Sequence, residues 1–205
     1  NIIGKMKGSK LIISILAVVV GVVIFLANSG EESPEEYIAS IEKERKEKNE
    51  FMRSSSDSPF KGKEFTELKY FPADPSYKVM ANVNQFETKE LVTLGTSDGK
   101  TQQYQKFAFV EFEIKGQRKK LTLLRQAGPG MQNVTFLAFA DATSGESTYG
   151  GGRYLDVSVK NARQIVLDFN LAYNPYCEYN SSYSCPLPLK ENVLDIAIEA
   201  GEKNY

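Results

Sequence analysis

The sequence predicts a mainly β protein, an antiparallel β-barrel or sandwich, preceded by an N-terminal transmembrane helix and a charged amphipathic connector helix. Three observations lead there. An uncharged apolar run opens the chain, a densely charged stretch follows it, and beyond residue 59 short segments rich in β-branched and aromatic residues alternate with turn residues. The regions are residues 1–30 as anchor, 31–58 as helical connector and 59–205 as a β-rich extracytoplasmic domain.

The anchor reads LIISILAVVVGVVIFLA over residues 11–27, without a charge. Residues 8–29 as a helix, at about 1.5 Å per residue, approach the roughly 30 Å hydrocarbon core of a bilayer. Lys5, Lys7 and Lys10 precede the run and Glu31 and Glu32 follow it, so the positive-inside rule keeps the N-terminus in the cytoplasm. The expected location is the inner (cytoplasmic) membrane, single-pass, with the C-terminal domain in the periplasm. A cleavable signal peptide is the rival reading, because Ala27 and Ser29 are small, although the run exceeds the roughly 7–15 residues of an h-region.

In the connector, Ser33 is placed as N-cap, Pro34 as the first helical residue and Glu36 as the closing member of a capping box. A helix should run to about Met52. Its stretch EKERKEKNE is polar all round and allows Glu42–Lys46 and Glu44–Lys48 pairs at i,i+4, which suits a solvated spacer or a helix capping the domain.

Strands are expected over residues 65–71, 77–86, 90–96, 104–114, 120–126, 134–140, 153–159, 164–169 and 193–199. Asp98-Gly99 and Lys115-Gly116 supply hairpin turns. Absence of a long helical period beyond residue 60 argues against parallel βαβ units, which leaves an antiparallel barrel or sandwich.

Composition removes several functions. There are 25 Lys plus Arg against 26 Asp plus Glu, so no global positive field draws nucleic acid. Histidine is absent, and with it the usual general base near neutral pH and the commonest metal ligand. Two cysteines alone cannot build a four-ligand zinc site. No metal or cofactor is expected.

Candidate chemistry is concentrated in residues 141–189. Gly150, Gly151 and Gly152 could turn N–H groups toward a carboxylate or phosphate, with Arg153 adding its fork of donors; alternatively they form a tight turn with Arg153 paired to Asp156 or Asp168. Asp156 and Asp168 on neighbouring strands could form an acid–base pair, or Asp168 and Asn170 could cap the following loop. Tyr149, Tyr154, Tyr173, Tyr176, Tyr179 and Tyr183 could stack on a ligand or pack over the end of a barrel. Cys177 and Cys185, eight residues apart on the exported side, favour a disulfide.

The strings YGGGRYLD (149–156), DFNLAYNPYCEYN (168–180), YSCPLPLKEN (183–192) and AGEK (200–203), with YFPAD (70–74) upstream, resemble the uncharacterised bacterial domain of unknown function family 1684 over about residues 65–205. Ser147 stands where that family usually has glutamate, Leu171 where a basic residue is common and Leu189 within what is often a Pro-Pro pair. The resemblance implies no activity.

Two functions are therefore expected to compete. One is an accessory or interaction subunit of an inner-membrane protein complex, without catalysis. The other is a periplasmic domain binding a small ligand or glycan, or hydrolysing it, in a pocket of Tyr149, Arg153, Asp156, Asp168, Asn170 and Tyr173.

Overall fold

The computed structural model of the chain describes residues 32–88, 90–126, 135–160 and 162–205. The expected transmembrane run, residues 8–29, lies outside them. Among the described residues no helix is long and apolar enough to cross a membrane.

Helix α1 (Pro34–Ser54) opens on the expected capping box: Glu36 N–H donates to Ser33 Oγ at 3.2 Å and Ser33 N–H to Glu36 Oε2 at 2.9 Å. From Ile38 onward the helix belongs to the same compact unit as the strands. Ile41, Arg45 and Met52, spaced by about one and two helical turns, are buried, so this segment is not polar all round. Lys48 forgoes the expected Glu44 and reaches Glu202 at 2.9 Å. A carboxylate already out of water gains more from a cation than an exposed one does. Asn49 Oδ1 accepts the Leu68 N–H at 2.9 Å, and Met52 packs with Phe60, Leu68 and Tyr179 in a small core of its own.

The strands are β1 (Lys78–Gln85), β2 (Leu91–Gly95), β3 (Thr101–Ile114), β4 (Gln117–Gln126), β5 (Thr135–Phe136), β6 (Ala138–Phe139), β7 (Arg153–Tyr154) and β8 (Gln164–Asp168). Six of them form one antiparallel sheet, β5-β4-β3-β1-β8, with β2 also on β3. The long β3 pairs with β4 along one edge; its other edge is shared, residues 101–105 facing β2 and 108–112 facing β1. The change of partner falls at Phe107, where the β3–β4 register slips between Lys106 and Ala108. One inserted residue reverses which side chains face inward, which is how a β-bulge re-aims a strand. Thus Ala108, Val110 and Phe112 enter the main core, whereas Tyr104 joins Leu94 and Leu124 in a separate cluster. The β3–β4 hairpin turns at Lys115 and Gly116, both with positive φ (50° and 70°), the twist-matched form that the Lys-Gly pair predicts.

The sheet is not a barrel: among the described residues β5 and β8 do not pair with each other, and the sheet stays open. Nor does a full second sheet cover it. Its inner face, including Leu121, Leu123, Ile165 and Leu167, is roofed by the two-residue ladder β6–β7 and by residues 193–200, whose Leu194, Ile196, Ile198 and Ala200 point inward. A strand is expected over 193–199, but the backbone bonds there go to Ala140, Ala142 and the Asp141 side chain instead of a ladder. Residues 65–71 are likewise extended without a strand partner, apart from a bridge between Tyr70 and Glu202. The run 134–140 breaks at Leu137, where it leaves β4 to join β7.

Asn192 closes the gap this break leaves. Its Oδ1 accepts the Thr122 N–H at 2.7 Å, and its Nδ2 donates to Thr122 O and Ala138 O, each at 2.9 Å, so one buried side-chain amide substitutes for a missing strand residue between β4 and β6. Asn192→Ala strands these buried groups and should lower the unfolding free energy by about 2–4 kcal/mol, read from urea denaturation. A loss no larger than that of an exposed surface substitution would show that the amide is not the edge closure.

Candidate functional site

The glycine–arginine motif builds an internal junction. Gly152 has φ +82°, and a Cβ there would lie 2.6 Å from both Phe139 O and a Pro188 carbon, so the backbone approach needs glycine. This places Arg153, with no exposed surface, against Asp141: Nη2 donates to Asp141 Oδ2 at 2.8 Å and to Ile198 O at 2.9 Å, while Nη1 donates to Ala200 O and to Glu202 O. Asp141 Oδ1 in turn accepts Thr143 N–H, Thr143 Oγ1–H and Ile198 N–H. Burial pulls the Arg153 pKa down and the Asp141 charge opposes that pull. The anion this motif holds is the chain's own Asp141, a partner the sequence reading did not single out.

A cleft of about 730 Å³ lies between α1 and the 170–186 segment. Of the nine ligand-binding candidates, Asp156, Asn170 and Tyr173 line it; Tyr149, Gly150, Gly151, Gly152, Arg153 and Asp168 do not. Tyr173 Oη donates to Asp156 Oδ1 at 2.9 Å, and the Lys48 ammonium sits 4.6 Å from the centre of the Tyr173 ring. Tyr154 Oη donates to Pro186 O at 2.7 Å, and its ring meets that of Tyr173 edge to face at 6.0 Å. Burial pushes both hydroxyls well above the ordinary tyrosine range, which keeps them protonated donors. Asn170 faces inward to tie down the chain: its Oδ1 accepts the Asp74 N–H at 2.9 Å and its Nδ2 donates to Asp74 O at 2.8 Å. Asp168 Oδ1 accepts the Asn170 N–H at 3.1 Å in the loop-capping role, and Asp156 has a different partner in Tyr173.

A buried carboxylate outside the lining holds the cleft residue Lys48. Glu202, 1 % exposed, accepts from Lys48 Nζ, from Asn174 N–H at 3.2 Å and from Tyr179 Oη, whose proton is held on by burial and by the Glu202 charge. Beside it the Arg45 guanidinium lies 4.6 Å from the centre of the Tyr70 ring and gives Nη1 to Glu42 at 2.8 Å. Lys48, Arg45, Tyr70 and Glu202 were not singled out from sequence as site residues. The i,i+4,i+7,i+11 spacing of Ile41, Arg45, Lys48 and Met52 was the available signal, since it puts two cations on the buried stripe of a helix.

The expected Cys177–Cys185 disulfide is not formed; both are free thiols held side by side. Cys185 Sγ accepts the Cys177 N–H at 3.2 Å, Cys177 Sγ lies 3.8 Å from Tyr149 Oη, and Ser97 brackets Cys185 through both its amide and its hydroxyl. Burial, with the neighbouring Cys177, pushes the Cys185 thiol up to about 12. Among the described residues no group of His, Cys, Asp and Glu is arranged to hold a metal ion.

Fold and cleft together define a mainly antiparallel β domain with a helix-walled, tyrosine-rich cleft. The chain belongs to the family described as protein of unknown function (DUF1684), whose model matches residues 63–203. A solved relative is an uncharacterized protein from gene locus rrnAC0354 of Haloarcula marismortui, determined in solution by NMR. It is 38 % identical, with a TM-score of 0.62, and the match covers 82 % of this chain and 95 % of that one. No curated protein matches the chain significantly. The α1 residues walling the cleft, 44–52, lie upstream of the family match, whereas its tyrosines lie within it.

Two outcomes check this geometry. Arg153→Gln leaves Asp141 buried and uncompensated and should destabilise by roughly 3–5 kcal/mol in chemical denaturation; near-native stability would refute the internal junction. In pre-reduced protein at pH 8, a thiol with a pKa of about 12 carries only about one part thiolate in ten thousand, so Cys185 should react with iodoacetamide far more slowly than an unfolded cysteine. Labelling at the unfolded rate would contradict the burial assigned to it.

Proposed function

We propose that this chain is a non-catalytic binding module that receives the apolar, aromatic or chain-like part of a small molecule in the α1-walled cleft. The single observation supporting this reading is a cleft of about 730 Å³ lined by Tyr70, Tyr154, Tyr173, Tyr176 and Tyr183 together with Leu155 and Ala172. Concave, largely apolar sites with few polar groups are the usual form of small-molecule pockets. Catalysis is a poor fit to the lining: the chain has no histidine, the buried tyrosines hold their protons, and Asp156 and Asp168 bond to different partners. We further propose that residues 8–29 hold the module outside the cytoplasmic membrane as an accessory subunit of an integral-membrane complex; the lysine-flanked apolar run supports that tether.

The test uses the full chain in lipid nanodiscs with 13C-labelled tyrosine rings and 4-phenylbutanol as probe. Saturable shifts of the Tyr154, Tyr173 and Tyr176 resonances are expected. They should disappear in Leu171→Trp, which places bulk at an exposed position of the lining at little cost to the core. No saturable shift across a panel of aryl and alkyl alcohols, or shifts that persist in the tryptophan variant, would defeat the reading.

A further inference from the structure

We infer that the cleft recognises a carboxylate, received two-pronged by the Nε–Nη2 edge of Arg45, on a ligand whose apolar body lies among the cleft tyrosines. This rests on the binding-module reading and adds the chemical class of the ligand.

Three observations support the assignment. Arg45 stands in the cleft wall with its side chain only 8 % exposed, yet its Nε and Nη2 are buried and meet no hydrogen-bond acceptor of the protein. A guanidinium donor removed from water and left unpaired is costly, and buried charged groups are as a rule fully bonded. The fold orients this guanidinium from two sides: Nη1 is held by Glu42 at 2.8 Å, and the plane is supported by the Tyr70 ring. What remains is the Nε–Nη2 edge, whose two parallel N–H vectors match the two oxygens of one carboxylate. The Tyr70 hydroxyl, also buried in the cleft wall and also without an acceptor, supplies a further donor in the same wall.

Lys48 is no substitute for Arg45 in this role. Its ammonium is committed to Glu202 and to the Tyr173 ring, and a point charge lacks the fork geometry. The surrounding charges choose between oxyanions. Glu44 and Asp156 line the cleft, Glu42 touches the guanidinium from outside, and Glu202, which is not in the lining, already occupies Lys48. A second negative charge on the ligand would meet these carboxylates, so a carboxylate monoanion fits better than a phosphate dianion.

The test compares matched ligands on the full chain in nanodiscs by the same tyrosine resonances: 4-phenylbutanoate, 4-phenylbutanol and 4-phenylbutyl phosphate. The carboxylate should bind at least about tenfold more tightly than the alcohol, as expected for a charge-assisted pair in a buried site, and more tightly than the phosphate. Arg45→Gln should bring acid and alcohol level, and Arg45→Lys, which keeps the charge but loses the fork, should restore only part of the difference. A thermal melt of each variant shows whether it is folded. If Arg45→Gln is not, the ratio in the unaltered chain and the lysine variant decide.

The outcomes separate the two readings. Failure of all three probes removes the binding module itself. Binding of the alcohol with no advantage for the acid, or an advantage that survives Arg45→Gln, overturns the carboxylate assignment alone. A phosphate that binds best replaces carboxylate by phosphate as the anchoring group and likewise overturns the inference as stated.

Discussion

A guanidinium without exposed surface sits at the centre of this fold, and the roof over the sheet is organised around its pairing with Asp141. The roof has little regular secondary structure: a two-residue ladder and an extended segment whose amides lack a neighbouring strand. Such a layer needs other partners for its polar backbone groups, because few remain unpaired in a protein interior. Arg153 supplies donors to the carbonyls of 198, 200 and 202, and Asp141 supplies an acceptor to the amide of 198. Neither charge would be stable there alone, so pair and roof depend on each other.

Much of the fold was legible in the sequence and the remainder was not, for definable reasons. The capping box at Ser33 and Glu36, the Lys115-Gly116 turn and the strand-forming runs 77–86 and 104–114 are short-range signals, and short-range chemistry decides them. The strand expected over 193–199 is buried on alternate residues, yet burial on one side does not require a strand on either flank; the competing bonds came from Ala140 and Asp141, more than fifty residues away. Whether the sheet closes into a barrel was not legible for the same reason, and it does not close. Closure is a property of distant edges, and β5 and β8 carry no local mark of whether they meet.

The site was legible in half. Asp156, Asn170 and Tyr173 were singled out because the tyrosine- and glycine-rich stretch is unusual, and they line the cleft. Arg153 attracted attention as a donor beside three glycines, but those glycines serve a close internal approach and the donor is consumed by Asp141. Arg45 went unnoticed within a run of charges that reads as solvated helix. Its distinction is burial on a stripe otherwise occupied by Ile41 and Met52, and only the packed helix reveals that Nε and Nη2 lack acceptors.

The tie between Lys48 and Glu202 spans nearly the whole described chain, joining the helical wall of the cleft to a carboxylate reached 154 positions later. During synthesis the wall emerges 154 residues before its anchor, while the intervening strands can already collapse as they appear. The helical wall therefore lacks this tie until residue 202 has been made. A ribosome stalled before residue 202 would display tyrosines and an arginine beside a Lys48 still lacking its carboxylate, and any cargo must await that residue.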